Sequence, residues 1–289
     1  MGLGDFFKGE TRGLSFELYP PKTDDGVDLL LETVGELMEF SPDFFTCTYG
    51  AGGSTRDRTL QILSEVKSRH SIPVVSHLTC VGSTVEQLRG YLQTAVDQGV
   101  EHIMALRGDP PKGQTEFHQT EGGLKYANEL VSLIRSDFPD LGVAVAGYPE
   151  VHQEAPNAEV DLVNLKRKVD AGAEIIVTQL FYINEDFFRF RDKCVAAGIH
   201  IPIVPGILPV TNLAQIQRIA SLCKAKLPST LISRLGEQDD TAWQFSAGVE
   251  FAQEQVAELL NNGIPGVHFY VLNKSQATAE VLKAHWFVS

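Results

Sequence analysis

The sequence predicts a (β/α)8 TIM barrel, and three observations carry that expectation. Eight times a short apolar run ends in an abrupt polar or glycine-rich break, and a helix-sized stretch follows. A chain of 289 residues with 43% apolar composition matches one large core and the usual size of a single barrel. Polar side chains also gather late in the runs, at the end of a parallel barrel where active sites are built.

The first four runs are 14–20 (Leu14-Ser-Phe-Glu-Leu-Tyr-Pro20), 44–50, 73–80 and 102–109. The pattern continues with 143–150, 175–182, 201–208 and 266–273. Their β-branched, aromatic and apolar content reads as buried parallel strands. Helices are expected at about 24–40, 55–69, 83–98, 122–137, 158–171, 184–198, 211–224 and 276–286. Ser83-Thr84 and Thr211-Asn212 supply start signals, while Gly99, Gly172 and Gly198 stand where a left-handed cap is cheapest. The gap before the last strand is the longest, so extra helices are expected near 228–235 and 239–262. Residues 1–13 read as an entry segment, and no linker-like stretch divides residues 1–289, which are expected to form one catalytic barrel domain.

Net charge narrows the partners. At −13 the chain lacks the basic face that nucleic acid requires. No apolar run reaches membrane-spanning length and the N-terminus lacks signal-peptide character, so a cytoplasmic chain without membrane partners is expected. Cys47, Cys80, Cys194 and Cys223 form no close pair and no metal-finger spacing, which suits reduced buried thiols.

The late-strand polar residues are Glu17, Thr48, His77, Arg107, Asp109, Tyr148, Glu150, Gln179 and Tyr270. One or two would be ordinary; a ring drawn from nearly every strand indicates an enzyme. Glu17 lies inside an apolar strand, where burial raises a carboxyl's proton affinity into the range of a general acid. Pairing with an arginine from a neighbouring strand would explain it equally well. Arg107-Gly108-Asp109 closes the fourth run, with Gly108 permitting close backbone approach to a ligand, or else an internal salt bridge. Gly50-Ala-Gly-Gly53 lacks the rest of a dinucleotide fingerprint and reads as a tight turn. His152-Gln-Glu154 is too sparse for a metal site, so no metal is expected. Asn164, Arg167 and Lys168 share one helical face with Asp161; this suits either a solvated charged face or a pyrophosphate. The strand runs contain no lysine, which argues against a Schiff-base lyase.

In order along the chain, Ser15-Phe-Glu-Leu-Tyr-Pro-Pro21, Thr48-Tyr-Gly50, His77-Leu-Thr-Cys80 and Ala105-Leu-Arg-Gly-Asp109 resemble the methylenetetrahydrofolate reductase family. The resemblance continues through Tyr148-Pro-Glu-Val-His152, Asp161–Lys168, Thr178-Gln179, Pro205-Gly-Ile-Leu-Pro209 and His268–Asn273, and matches the short bacterial form. It implies a barrel that binds FAD non-covalently, takes hydride from NAD(P)H and passes it in ping-pong fashion to 5,10-methylenetetrahydrofolate, giving 5-methyltetrahydrofolate. It also implies a homo-oligomer. Glu17 would be the general acid at folate N10, and Asp109 the charge beside flavin and pterin. Thr48, His77, Arg107, Gly108, Asp109 and Ala146 would line the FAD site. Tyr148, His152, Asp161, Asn164, Arg167 and Lys168 would complete it, the basic pair near the phosphates. Glu17, Gln179, Leu213, Tyr270 and Lys274 would meet substrate, with Leu272 close by. Leu213 stands where some relatives carry an aromatic residue, and Lys274 where others carry arginine; both bear on substrate affinity. The alternative is a flavin- or folate-binding barrel without turnover.

Overall fold

Every apolar run becomes a strand of one parallel sheet. In the computed structural model, which describes residues 2–9, 12–49, 56–110, 113 and 117–285, the strands are β1 (Gly13–Leu18), β2 (Phe44–Cys47), β3 (Val74–Thr79) and β4 (His102–Leu106). The ring continues with β5 (Gly142–Gly147), β6 (Ile175–Thr178), β7 (Ile203–Val204), β8 (Gly206–Ile207) and β9 (Gly266–Tyr270). Their order is β7-β6-β5-β4-β3-β2-β1-β9-β8, all parallel. The seventh expected run is split because Pro205 has no N–H to give a ladder. Residues before it pair with β6 (Val177 opposite Val204), and residues after it pair with β9 (Ile207 opposite Phe269). One bent segment thus joins both edges and closes a TIM barrel.

Alternation along each strand sorts side chains between two cores. Leu14, Phe16 and Leu18 point outward into the layer shared with the helices, while Ser15 and Glu17 point inward. The lower barrel interior is filled by Phe44, Val75, Met104, Ala144, Ile175 and Val204. Leu3 and Phe7, on a single 3-10 turn (Leu3–Phe7), plug the N-terminal end against them. Full burial of such side chains stabilises by about 1.5–3 kcal/mol each.

The connecting helices are α1 (Asp24–Met38), α2 (Arg56–His70), α3 (Val85–Asp97), α4 (Ala127–Asp137), α5 (Ala158–Asp170) and α6 (Asn184–Ala196). After β8 come α7 (Leu213–Cys223), α8 (Ser229–Leu235) and α9 (Thr241–Asn261), and α10 (Gln276–His285) follows β9. The extra pair expected in the long gap is therefore α8 and α9. Thr84 caps α3 by accepting from Gln87 N at 3.2 Å, and Gln87 returns the bond to Thr84 N. Asn212 caps α7 in the same manner through Gln215 N at 2.9 Å. Gly99, Gly172 and Gly198 all take the left-handed conformation.

α4 departs from expectation, starting at Ala127 rather than near 122. Gly123 pairs as an antiparallel bridge with Thr84, and a Cβ there would sit 2.3 Å from the Ser83 carbonyl oxygen. Close approach to the α3 start thus holds this stretch extended. The expected turn at 50–53 lies outside the described residues.

Candidate functional site

The inward positions at the C-terminal end of the barrel line a cavity of about 560 Å³. Glu17 from β1, His77 from β3 and Tyr270 from β9 form its floor. Thr48 follows β2; Arg107, Gly108 and Asp109 follow β4; Ala146 lies on β5; Tyr148 and His152 follow it; Gln179 follows β6. These eleven expected site residues, together with Leu272 beyond β9, therefore meet in one place. A second hollow of about 410 Å³, between α8 and α9, contains none of them.

Glu17 is strongly altered by its surroundings. Its side chain is 22% exposed, open only toward the cavity, and burial pushes its carboxyl up to about 8. No arginine pairs with it among the described residues. Its charged-capable neighbour is His77, whose Nε2 lies 3.5 Å from Glu17 Oε2 and makes no hydrogen bond. Burial pulls His77 down to about 4. At neutral pH the pair is therefore an uncharged acid beside an uncharged imidazole, not an ion pair. Tyr270 faces Glu17 across the β1–β9 register and donates its hydroxyl to the Thr178 carbonyl at 2.7 Å.

The opposite wall carries charge. Asp109 is exposed at the mouth. Tyr148, beside it, is held above its ordinary range by burial and then by the Asp109 and Asp161 charges. Gly108 adopts φ +89°, and a Cβ there would meet Val81 Cγ1 at 2.6 Å and Thr79 Cβ at 2.9 Å. Only glycine lets the backbone press this tightly against β3. Arg107 makes a bidentate pair with Glu154 at 2.6 and 2.5 Å and lies 4.9 Å over the Phe117 ring. The internal salt bridge anticipated for Arg107 exists, with Glu154 as its partner.

The loop after β5 is strained. Val151 has φ +72°, which for a β-branched residue is of order 1–3 kcal/mol unfavourable. This turn brings the His152 ring edge-on to Tyr148 at 4.5 Å between centroids. Asp161 accepts His152 N at 3.0 Å, which explains its place on α5. The other members of that helix diverge. Arg167 is exposed and donates to Asn164 at 3.2 Å, whereas Lys168 turns inward to the Ala146 carbonyl at 2.5 Å. Burial lowers Lys168 to about 8 against the opposing pull of Asp161.

Two expected substrate residues lie off the cavity wall. Leu213 begins α7, with its amide held by Gln244 Oε1 at 2.9 Å, and Lys274 is exposed beyond β9. Gln179 lines the cavity and accepts Leu180 N at 2.9 Å through Oε1, which leaves its NH2 group for a ligand.

Several lining residues carried no signal in the sequence. Met104, Leu106 and Val177 are ordinary apolar strand residues. Tyr49 and Thr79 join β2 and β3 through a 2.9 Å hydroxyl contact. Ile219, Leu222 and Cys223 bring α7 over the mouth, and Leu222 remains 68% exposed. An apolar residue left on the outer face of an amphipathic helix is the one hint that could have found it.

The family model for methylenetetrahydrofolate reductase matches residues 5–285. The chain belongs to the methylenetetrahydrofolate reductase family. It is 41% identical over 266 residues to 5,10-methylenetetrahydrofolate reductase of Pectobacterium carotovorum, covering 91% of this chain and 86% of that one. The Escherichia coli protein of the same name is 39% identical over 264 residues, covering 91% and 87%. Methylenetetrahydrofolate reductase (NADH) 1 of Arabidopsis thaliana is 42% identical over 286 residues. That match covers 95% of this chain but 48% of the plant protein, so the chain spans about half the length of its plant relatives. Among solved structures, a Clostridium thermocellum protein described as binding two copies of 5-methyl-5,6,7,8-tetrahydrofolic acid superposes with a TM-score of 0.63 at 15% identity, covering 95% and 94%. At that identity the likeness shows the barrel fold alone.

Proposed function

We propose that this member of the family reduces 5,10-methylenetetrahydrofolate to 5-methyltetrahydrofolate, with a reduced nicotinamide as donor and FAD bound in the cavity. The single observation that carries the reading is Glu17, a carboxyl kept protonated at neutral pH on the floor of the barrel mouth.

The residues present fit a flavin nucleotide. His77 Nε2 is a buried polar atom without a partner at the cavity floor, and Gly108 brings backbone to the wall. Met104, Leu106, Val177 and Leu180 give apolar surface for a ring system. Thr48, Arg107, Ala146, Tyr148 and His152 would surround it, with Asn164, Arg167 and Lys168 toward its phosphates. FAD held there would supply the relay of hydride from nicotinamide to folate.

The chain's own work is proton and charge management. Glu17 gives its proton to folate N10, and the five-membered ring opens to the N5 iminium, which is the hydride acceptor. A neutral carboxylic acid can do this at pH 7, whereas an ordinary carboxylate cannot. Asp109 places negative charge near the cationic iminium. Gln179 offers its NH2 group to a substrate acceptor atom. The family resemblance implies that donor and folate occupy this cavity in turn, which is a ping-pong order.

The visible spectrum of the purified protein tests this reading. Flavin bands that NADH bleaches and methylenetetrahydrofolate restores are expected. A colourless protein, or bands that the folate leaves bleached, would overturn it in favour of a folate- or flavin-binding barrel without turnover.

A further inference from the structure

One buried group beneath the acid has no part in the chemistry above. On β9, His268 stands two residues before Tyr270, so both point into the barrel and His268 lies one layer deeper. The same spacing relates Ser15 to Glu17 on β1, and the register sets Ser15 opposite His268 just as Glu17 stands opposite Tyr270. Ser15 and His268 are both fully buried, and Ser15 Oγ meets His268 Nδ1 at 2.8 Å. His268 also stands edge-on to the Tyr270 ring at 5.3 Å.

Among the described residues, four buried polar atoms of this interior have no hydrogen-bond partner: Thr46 Oγ1, His77 Nε2, His102 Nδ1 and His268 Nε2. Leaving a buried polar group unsatisfied costs about 1–3 kcal/mol, so the barrel would be more stable with apolar residues here. Such a departure from good packing is a mark of function. His268 is uncharged: burial, and then the neighbouring His77, pull it down to about 3. Among the described residues no other titratable group bears on it; His77 from β3 and Tyr270 from β9 face Glu17, and Cys47, on the outer side of β2, lies close enough to feel its charge.

We propose that His268, pinned by Ser15, is a positioning residue for the acid at Glu17. Its uncharged imidazole fills the barrel beneath the Glu17–His77 pair, keeps water from that side, and so governs the pH at which Glu17 still holds a proton to deliver. The physical cause is desolvation, which is the whole cause of Glu17's raised proton affinity. A polar-lined space opened beneath it would take up water. Hydration would favour the carboxylate and leave less acid at neutral pH. The inference rests on the proposed reductase reading.

The test compares both half-reactions over pH in the flavin-loaded protein with His268→Ala, which opens the space, and Ser15→Ala, which only frees the ring. Expected for His268→Ala are unchanged flavin content and bleaching by NADH within about twofold. Reoxidation by methylenetetrahydrofolate should show its midpoint lowered by about one unit, the common scale of environmental shifts, and so slow about twofold at pH 7 and about fivefold at pH 8, recovering as pH falls. Ser15→Ala should move the midpoint the same way by less. An unmoved midpoint in Ser15→Ala and His268→Ala would overturn the proposal, as would equal slowing of both half-reactions. If His268→Ala loses its flavin, an unmoved midpoint in Ser15→Ala alone overturns it. Failure of the reductase reading is distinct: wild-type flavin would then not be reoxidised by the folate at any pH.

Discussion

The two ends of this barrel are built from the same strands and do opposite things. At the N-terminal end Leu3, Phe7, Phe44, Val75 and Ile175 close the interior with apolar side chains. The charged groups there are matched: Glu174 takes Arg135 at 2.5 Å and Gly4 N at 3.3 Å. At the other end the interior holds Glu17 on β1, His77 two residues beyond Val75 on β3, and Tyr270 on β9, each shifted far from its ordinary proton affinity by burial. One end stores stability and the other spends it, as the division of labour in such barrels requires. Substitutions at the two ends should therefore separate folding from chemistry.

The largest expected effect is at the mouth. Glu17→Gln keeps size but has no proton to give, so stopped-flow reoxidation by methylenetetrahydrofolate should slow about 100- to 10,000-fold. Bleaching by NADH should stay near the wild-type rate, since it needs no side-chain acid. Equal slowing of both would mean a damaged pocket. At the opposite end, Phe44→Ala should cost about 3–5 kcal/mol in chemical denaturation, with turnover per folded molecule little changed. A large loss of turnover without loss of stability there would dissolve the contrast between the ends.

Asp109→Asn should reduce folate turnover by about 2.7–4 kcal/mol in the transition state while flavin remains bound, the scale for one preorganised electrostatic group. Unchanged turnover would remove Asp109 from the mechanism. Replacing Arg167 and Lys168 together with alanine should deplete flavin and lower thermal stability, because a ligand stabilises only the folded chain that binds it. Full occupancy in that double variant would show that the phosphates lie elsewhere. Since Lys168 already reaches the Ala146 carbonyl, Lys168→Ala alone should account for most of the stability change.

The smallest effect is on stability against pH. Glu17 ionises near 4.5 when unfolded but holds its proton to about 8 when folded. Its contribution is thus complete below 4.5 and is lost as pH rises toward 8. His77 and His268, lowered to about 4 and about 3, act in the reverse sense and only below 6.5. Between pH 6.5 and 8 the melting temperature of wild type should therefore fall more steeply than that of Glu17→Gln. Parallel curves would mean that Glu17 is ionised in the folded protein.

The barrel was legible because strand and helix periods are local properties. Runs such as 102–109 and caps such as Thr84 and Asn212 need no distant partner to be recognised. Glu17 stood out for the same reason, as a lone carboxylate in an apolar strand. The beginning of α4 was misplaced because Gly123 is held extended by residues of the α3 start, far away in sequence.

The sequence by itself determined the order of the elements, the polar ring at the strand ends and the family resemblance, since all three lie in residue order. Only the tertiary structure decided which partners those residues meet. Arg107 joins Glu154 across 47 positions, Lys168 leaves its helical face for the Ala146 carbonyl, and α7 brings Leu222 to the mouth. His268 reaches Ser15 from 253 residues away, because ring closure through Pro205 sets the last strand against the first. Burial and proximity arise from that closure, and burial raises the proton affinity of Glu17.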